Sequence, residues 1–345
     1  KAPEAEWGSD VARRAMAGAA LGFIVWVGAA TLVCAAIARK RAVSIDGVWG
    51  ALARGELDFP WRAVLVSLCC ILVLVGVVTA LGAKYHVLGT SKVGEDVLYQ
   101  ALKSIRTALV IGTLTTLVML PFAILLGIAA GYFKGWADDV IQYVYTTLNS
   151  IPAVLLIAAA VLMMQVYIDT HPELFPSGTE RADLRLLFLC VILGVTSWTG
   201  LCRLLRGETL KIRELDYIQA AQAFGVSHLR IILRHILPNV MHIVLIAVVM
   251  EFSSLVLAEA VLSYVGVGVD PSMISYGTMI NAARLEMARE PTVWWSLAAA
   301  FAFMFSLVLA ANLFADAVRD AFDPRIAVAK PFRLRLGRTL VGRAS

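Results

Sequence analysis

Two carboxylates, Glu251 and Glu259, lie inside an apolar run, Val240–Val265, and are the side chains best placed to do chemistry in this chain. Their spacing sets them about 80° apart on a helix of 3.6 residues per turn, so both can face one side. An ionisable group at membrane depth is costly and points to a polar path or to pairing. On one reading Glu251, Ser254 and Glu259 line a water-filled route that attracts a cationic group. On the other, Glu259 pairs within an interface and only the deeper Glu251 serves a route. "LNSIPAVLL" sets Asn149 and Pro152 in a further apolar stretch, where proline frees backbone groups that need partners. A gating kink and a static packing bend both fit, and Asn149 joins the candidate route.

Other chemistry finds little support. The five histidines (His86, His171, His228, His235, His242) are scattered and form no ligand cluster. Cys34, Cys69, Cys70, Cys190 and Cys202 lie in or beside apolar runs without metal-ligand spacing, so reduced, buried thiols are expected and no metal site. No nucleophile–base pair and no Gly-x-x-x-x-Gly-Lys-Ser/Thr phosphate loop occurs, which argues against an enzyme and against a nucleotide site in this chain.

The elements that position these residues follow from composition. Apolar residues are 60% and charged residues 16% of the chain, against roughly 45–50% and 25% in soluble domains. An all-α, polytopic membrane protein is expected, because only helices that satisfy their own backbone cross a bilayer in this way. Seven spans are expected: Met16–Ala38, Val64–Gly82, Thr107–Ala130, Thr147–Tyr167, Leu186–Leu204, Val240–Val265 and Trp294–Ala315. No short cleavable signal pattern precedes the first run, so the spans themselves are expected to direct insertion.

Lysine and arginine are concentrated in Arg39–Arg62, in the approach to and body of 203–234, and after the last span. Positively charged connections stay cytoplasmic, which puts these three segments inside and the amino terminus outside. The net charge of +5 fits anionic headgroups of membrane lipid better than nucleic acid, for which no basic-aromatic groove is present.

One cytoplasmic connection is patterned. Tyr217, Ala220, Ala221 and Phe224 recur at i, i+3, i+4, i+7, with Gln219 and Gln222 at the flanks. Gly225 suits a left-handed helix end, Ser227 suits a following N-cap, and Leu229, Ile232, Leu233 and Ile236 repeat the stripe. Pro238 is expected to mark the turn into the next span. The helix Glu214–Phe224 carries no lysine or arginine, which is poor for lying on anionic headgroups, and Ala220-Ala221 offers a low-profile surface for a protein groove.

These residues resemble a known family. "IQAAQAFG…RHILP" is similar to the coupling motif of ABC importer permeases, matching at Ala220, Ala221, Gly225, Leu237 and Pro238. "LGTSKVGEDVL", "LAEAVLSYVGVGV", "SYGTM" and "NLFADAVRDAFDPR" resemble, in order, segments of the dipeptide/oligopeptide (peptide/nickel) branch, so the likeness covers about Leu88 to Arg325. Gln219 departs from the usual Glu, Ser91 and Glu95 from Asp and Arg, and Tyr276 from Trp.

The resemblance implies a type I importer permease bundle of six core spans plus an extra N-terminal one, divided into an N-terminal region, 1–83, with two spans, the permease core, 84–325, and a basic cytoplasmic tail, 326–345. It further implies a bacterial inner-membrane location, a second homologous permease subunit, two cytoplasmic ATPase subunits that bind ATP and Mg, and an extracytoplasmic substrate-binding protein. Tyr217, Gln219, Ala220, Ala221, Phe224, Gly225, Val226, His228, Leu237 and Pro238 would form the ATPase-coupling surface. A proton-coupled secondary transporter using Glu251 and Glu259, or a membrane scaffold without transport, are the alternatives. Gly225→Asp is expected to insert normally yet abolish stimulated hydrolysis by the partner, and Ala221→Arg to prevent docking. ATPase assays and co-purification check both.

Overall fold

The computed structural model describes residues 7–41, 44–54, 60–171, 173, 177–288, 290 and 292–322. Its elements are α1 (Trp7–Arg41), α2 (Ile45–Arg54), α3 (Trp61–Gly82), α4 (Val97–Phe133), α5 (Gly135–Ser150), α6 (Ala153–Thr170), α7 (Gly178–Arg213), α8 (Asp216–Ala223), α9 (His228–Ile231), a π-helical turn (Ile232–Ile236), α10 (Leu237–Val265), α11 (Tyr276–Met287) and α12 (Trp295–Phe322). Among the described residues, seven helical segments are long and apolar enough to cross a membrane. The basic tail expected over 326–345 lies outside the described residues.

The chain forms two compact units, Lys1–Leu98 and Tyr99–Ser345. In the first, α1 packs on α3 along a small-residue seam where Gly18 and Gly76 bring the two backbones together. The seam is tied at one end by Asp10, whose carboxylate accepts from Arg13, Arg14, Lys84 and Tyr85 at 2.8–3.0 Å. Trp26 Nε1 donates to Leu65 O at 2.8 Å further along. After α3, Gly89 and Gly94 adopt positive φ in a turn closed by the Thr90–Asp96 bridge.

In the second unit, α7 is the central strut: its 36 residues span about 54 Å at 1.5 Å per residue. Gly127 and Gly131 let α4 lie directly on it, since a Cβ at Gly131 would stand 2.7 Å from Arg206 O and one at Gly127 2.8 Å from Cys202 O. One apolar cluster joins α4, α6, α7 and α10 at the end of α7 that begins at Gly178, around Ile111, Ile157, Leu189, Leu193 and Leu262. A second, around Met119, Tyr132, Leu205, Ile212 and Val240, fills the opposite end.

Three expectations need correction. The span foreseen over Thr147–Tyr167 is two helices: Ile151 is extended (φ −92°, ψ 131°) and Pro152 precedes α6. A residue before proline is pushed out of the helical region, so α5 ends at Ser150, with Asn149 in its last turn, and Pro152 neither kinks nor bends a continuous helix. Pro238 does not mark a turn, because His228–Val265 runs as one span with Pro238 in the first turn of α10. The Leu237 N–H reaches back five residues to Ile232 O, so a π-turn stands immediately ahead of the proline, which has no N–H of its own to donate. It also shifts the buried stripe: Ile231 and Ile236, five apart, are fully buried, whereas Leu229 and Leu233 are exposed. Pro121 lies in the interior of α4.

Gly131→Val is expected to force α4 off α7, because the obstructing atom is a backbone oxygen that cannot swing aside. The cost is about 1–3 kcal/mol by overpacking, read as a lowered unfolding midpoint in detergent, while Gly207→Val, where a Cβ meets nothing within 4 Å, leaves it nearly unchanged.

Candidate functional site

Residues 214–238 form a helix–glycine–helix unit at the C-terminal end of α7. Ile218 anchors it: it is fully buried within the apolar cluster that holds Tyr132, Leu205, Ile212, Ile231, Ile236 and Val240, with Ala221, Val226 and Leu237 packed against its edge. The turn is closed as a Schellman motif. Gly225 N–H donates to Gln222 O at 3.0 Å and Val226 N–H to Ala221 O at 3.1 Å, with Gly225 at φ +74°. Ser227 precedes α9 but makes no side-chain cap bond.

The opposite face is bare. Tyr217 is 46% and Phe224 87% exposed, and Gln219, Ala220, Gly225 and Pro238 are exposed with them. The expected stripe is therefore split: Tyr217, Ala220 and Phe224 face outward, whereas Ala221 turns toward the core. An eight-residue helix with alanines at neighbouring positions leaves its phase open by one residue, so spacing alone does not single out Ile218.

Polar contacts fix the unit further. Tyr132 OH lies 2.8 Å from His228 Nδ1 and accepts from Gln222 Nε2 at 3.4 Å. Gln219 Nε2 donates to Glu214 O at 3.2 Å, so the amide in place of the usual Glu caps the α7–α8 corner. Asn239 Nδ2 donates to Tyr217 OH at 3.2 Å. Lys134 and Glu214 pair at 2.6 Å, and the lysine's hydrogen bond holds the Glu214 carboxyl below its ordinary range. Beneath them Arg206 grips Asp138 through two bonds, at 2.6 and 2.7 Å, joining α5 to α7. Nothing in the sequence marks this pair, which stands 68 residues apart.

No hydrogen bond joins any two of the four candidate route residues among the described residues. Asn149 Oδ1 accepts from Thr199 at 3.0 Å. Ser254 is exposed, and it is Ser253 that is buried, donating to Asn312 Oδ1 at 2.9 Å. Glu251 is partly buried and makes no ion pair among the described residues. Glu259 is 1% exposed and accepts from Ser263 Oγ at 2.6 Å and Ser275 Oγ at 2.8 Å. Ser275 is also the N-cap of α11, in a reciprocal capping box with Thr278, so Glu259 clamps α10 to α11. Beside it Tyr276 is fully buried, its hydroxyl without a partner among the described residues and pushed up to about 12 by burial.

A cavity of about 1090 Å³ opens at the Gly178 end of α7, lined by charges of both signs that include Lys103, Arg106, Arg181 and Asp183. Arg185 crosses its wall to Asp169 and Asp270, each at 2.7 Å. Burial opposes ionisation of Asp270, but bonds from Ser272 and the charge of Arg185 outweigh it and lower the carboxyl.

The Arg206 hydrogen bonds, against the opposing effect of burial, also lower Asp138. A lowered folded-state pKa contributes stability that is complete above the ordinary carboxylate range and is lost as pH falls through the lowered value. Asp138→Asn is expected to cost about 2 kcal/mol near neutrality, the scale of hydrogen bonds to charged groups. It should also flatten the acid limb of a stability-against-pH curve; an unchanged limb would show that the pair does not hold α5.

Against known proteins, the model of the binding-protein-dependent transport system inner membrane component matches residues 123–328. The oligopeptide transport system permease protein of Mycobacterium tuberculosis strain H37Rv is 31% identical over 69% of this chain and 76% of that protein. The glutathione transport system permease protein of Pectobacterium atrosepticum is 32% identical over 70% of this chain and 73% of its own. The dipeptide transport system permease protein of Bacillus subtilis is 27% identical over 70% and 69%. An inward-facing structure of the MetNI methionine ABC transporter superposes with a TM-score of 0.46 at 17% identity, over 66% of this chain and 99% of that one. With its seven apolar helices and a family match across more than half its length, the chain is a multi-pass membrane protein and belongs to the family of binding-protein-dependent transport system inner membrane components.

Proposed function

We propose that the chain is one of two homologous permease subunits of an ATP-driven importer of the bacterial plasma membrane. It takes di- or oligopeptides or peptide-like compounds from an extracytoplasmic binding protein. Two cytoplasmic ATPase subunits, which bind the ATP and Mg, supply the work. The peptide class rests on the transport systems for which the relatives are named.

The observation that carries this reading is a rigid unit with an unpartnered face. Tyr217, Ala220 and Phe224 stand out from a turn whose back is continuous with the bundle core. Such a surface fits a protein groove, with Phe224 as the aromatic anchor. Force applied there passes through Ile218 and Tyr132 to α4 and α7, and through Ile231 and Ile236 to α10. Closing of the ATPase pair thus rocks the bundle between two access states, with nucleotide and loaded binding protein biasing the two from opposite ends. The cationic residues near this end, Arg203, Lys211, Arg213, Arg230, Arg234 and Arg319, support its placement in the cytoplasm. Of the candidate route residues, Glu251, partly buried and without an ion pair among the described residues, is the one that supports a polar route, while Glu259 is a clamp on the same helix.

Because Ala221 packs inward, Ala220→Arg and Phe224→Asp are the variants that alter the outward face alone. Each is expected to leave membrane insertion and the unfolding midpoint intact and to reduce ATP-dependent vesicle uptake at least ~100-fold, the loss of a hot spot worth about 3 kcal/mol. Unchanged co-purification of the ATPase with both variants would refute the docking face. Uptake that collapses with the proton gradient and ignores ATP would instead favour Glu251 as a proton carrier.

A further inference from the structure

Between α7, α10 and α12, near the end that carries the 214–238 unit, lies a second cavity of about 500 Å³. Its lining is divided in character. Ile243, Ile246, Ala247 and Met250 recur at i, i+3, i+4, i+7 and give α10 one apolar wall, which Leu204 of α7 faces. The cations Arg203, Lys211 and Arg319 stand around the same space, with Glu208 as its carboxylate, and Glu208 is already bound to Lys211 at 3.0 Å. The formal balance is therefore three positive charges against one negative. Gly207 forms the floor, where an added Cβ would meet nothing within 4 Å.

Cations inside membrane-spanning segments need anions. Arg203 has an aromatic neighbour, its guanidinium 5.3 Å from the Tyr145 ring, but Arg319 forms no ion pair among the described residues. A free phosphate would satisfy the cations and leave the apolar wall unfilled. A neutral acyl chain would do the reverse. One chemistry that matches both halves is an acyl chain joined to a phosphate.

We propose that this groove binds an anionic phospholipid, the chain along Ile243, Ala247 and Met250 and the headgroup phosphate at Arg203, Lys211 and Arg319. The proposal rests on the reading above in one respect: it places this end of the bundle at the cytoplasmic leaflet, where anionic lipid is concentrated. A lipid wedged between α7 and α10 also sits between the two helices that emerge into the 214–238 unit, so its occupancy bears on how that unit moves.

The test uses the assembled complex with its ATPase and second permease subunits, incubated with phosphatidylcholine vesicles containing or lacking phosphatidylglycerol. Retained lipid is then counted by native mass spectrometry. Phosphatidylglycerol should be held in preference, and Arg203→Gln and Arg319→Gln should each reduce retention about fivefold, the scale of one basic residue at a charged membrane surface. Gly207→Leu fills the groove without altering any charge and should abolish retention. Lys103→Gln with Arg106→Gln, at the opposite end of the bundle, should leave it unchanged.

Equal retention of both lipids, retention that survives Gly207→Leu, an equal loss from the Lys103/Arg106 pair, or displacement by inorganic phosphate would each overturn the site. Uptake measured on the same preparations separates the two claims. For the unsubstituted complex, failure to retain phosphatidylglycerol in preference with intact ATP-driven uptake sinks the lipid groove alone, and preferential retention without ATP-driven uptake sinks the transport reading alone.

Discussion

The burial of Ile218 in the apolar cluster at the end of α7 is the contact on which the rest of the site depends. Residues 214–227 are few and mostly polar or small, and an eight-residue helix has no stability of its own in water. Ile218, with Ala221 and Val226 beside it, makes the short helix an extension of the bundle core, where Tyr132, Ile212, Ile231 and Ile236 already meet. The Schellman closure at Gly225 then fixes the angle at which the second helix leaves. The outward residues are exposed because the inward ones are committed, and a mechanical connection needs both properties at once.

Close helix contact in the second unit has a related origin. Apolar side chains facing lipid gain little by facing one another instead, so association relies on close packing and on hydrogen bonds. Gly127 and Gly131 supply the first between α4 and α7. Arg206 with Asp138 and Arg185 with Asp169 and Asp270 supply the second near either end of α7. These pairs lie toward the helix ends, where water reaches part of each side chain and the desolvation cost is least. Glu259 is the exception, fully buried and held by two hydroxyls that also organise the start of α11.

The carboxylates show how one residue type takes different work from its surroundings. Glu251 and Glu259 share a helix and are nearly alike in sequence setting. Only Glu259 meets a loop that folds back with Ser275, which turns it into a clamp. Glu251, without such a return, keeps a partly open environment and is the better candidate for a polar route.

Much of the architecture is legible in the chain alone. The seven apolar runs, the position of Gly225 and the existence of a helix–glycine–helix unit follow from local rules: the length needed to cross a bilayer, the backbone freedom of glycine and the spacing of apolar side chains. What local rules leave open is phase and partnership. Ile218 rather than Ala220 faces inward because the neighbouring helices present their cluster on that side. The π-turn ahead of Pro238 exists because α10 must stay continuous while keeping both Ile231 and Ile236 buried. Asp138 with Arg206, and Glu259 with Ser275, come from segments whose approach is set by the whole packing. Sequence determines which residues can pair or pack; the distance between them in space, which only the assembled bundle sets, decides which of them do.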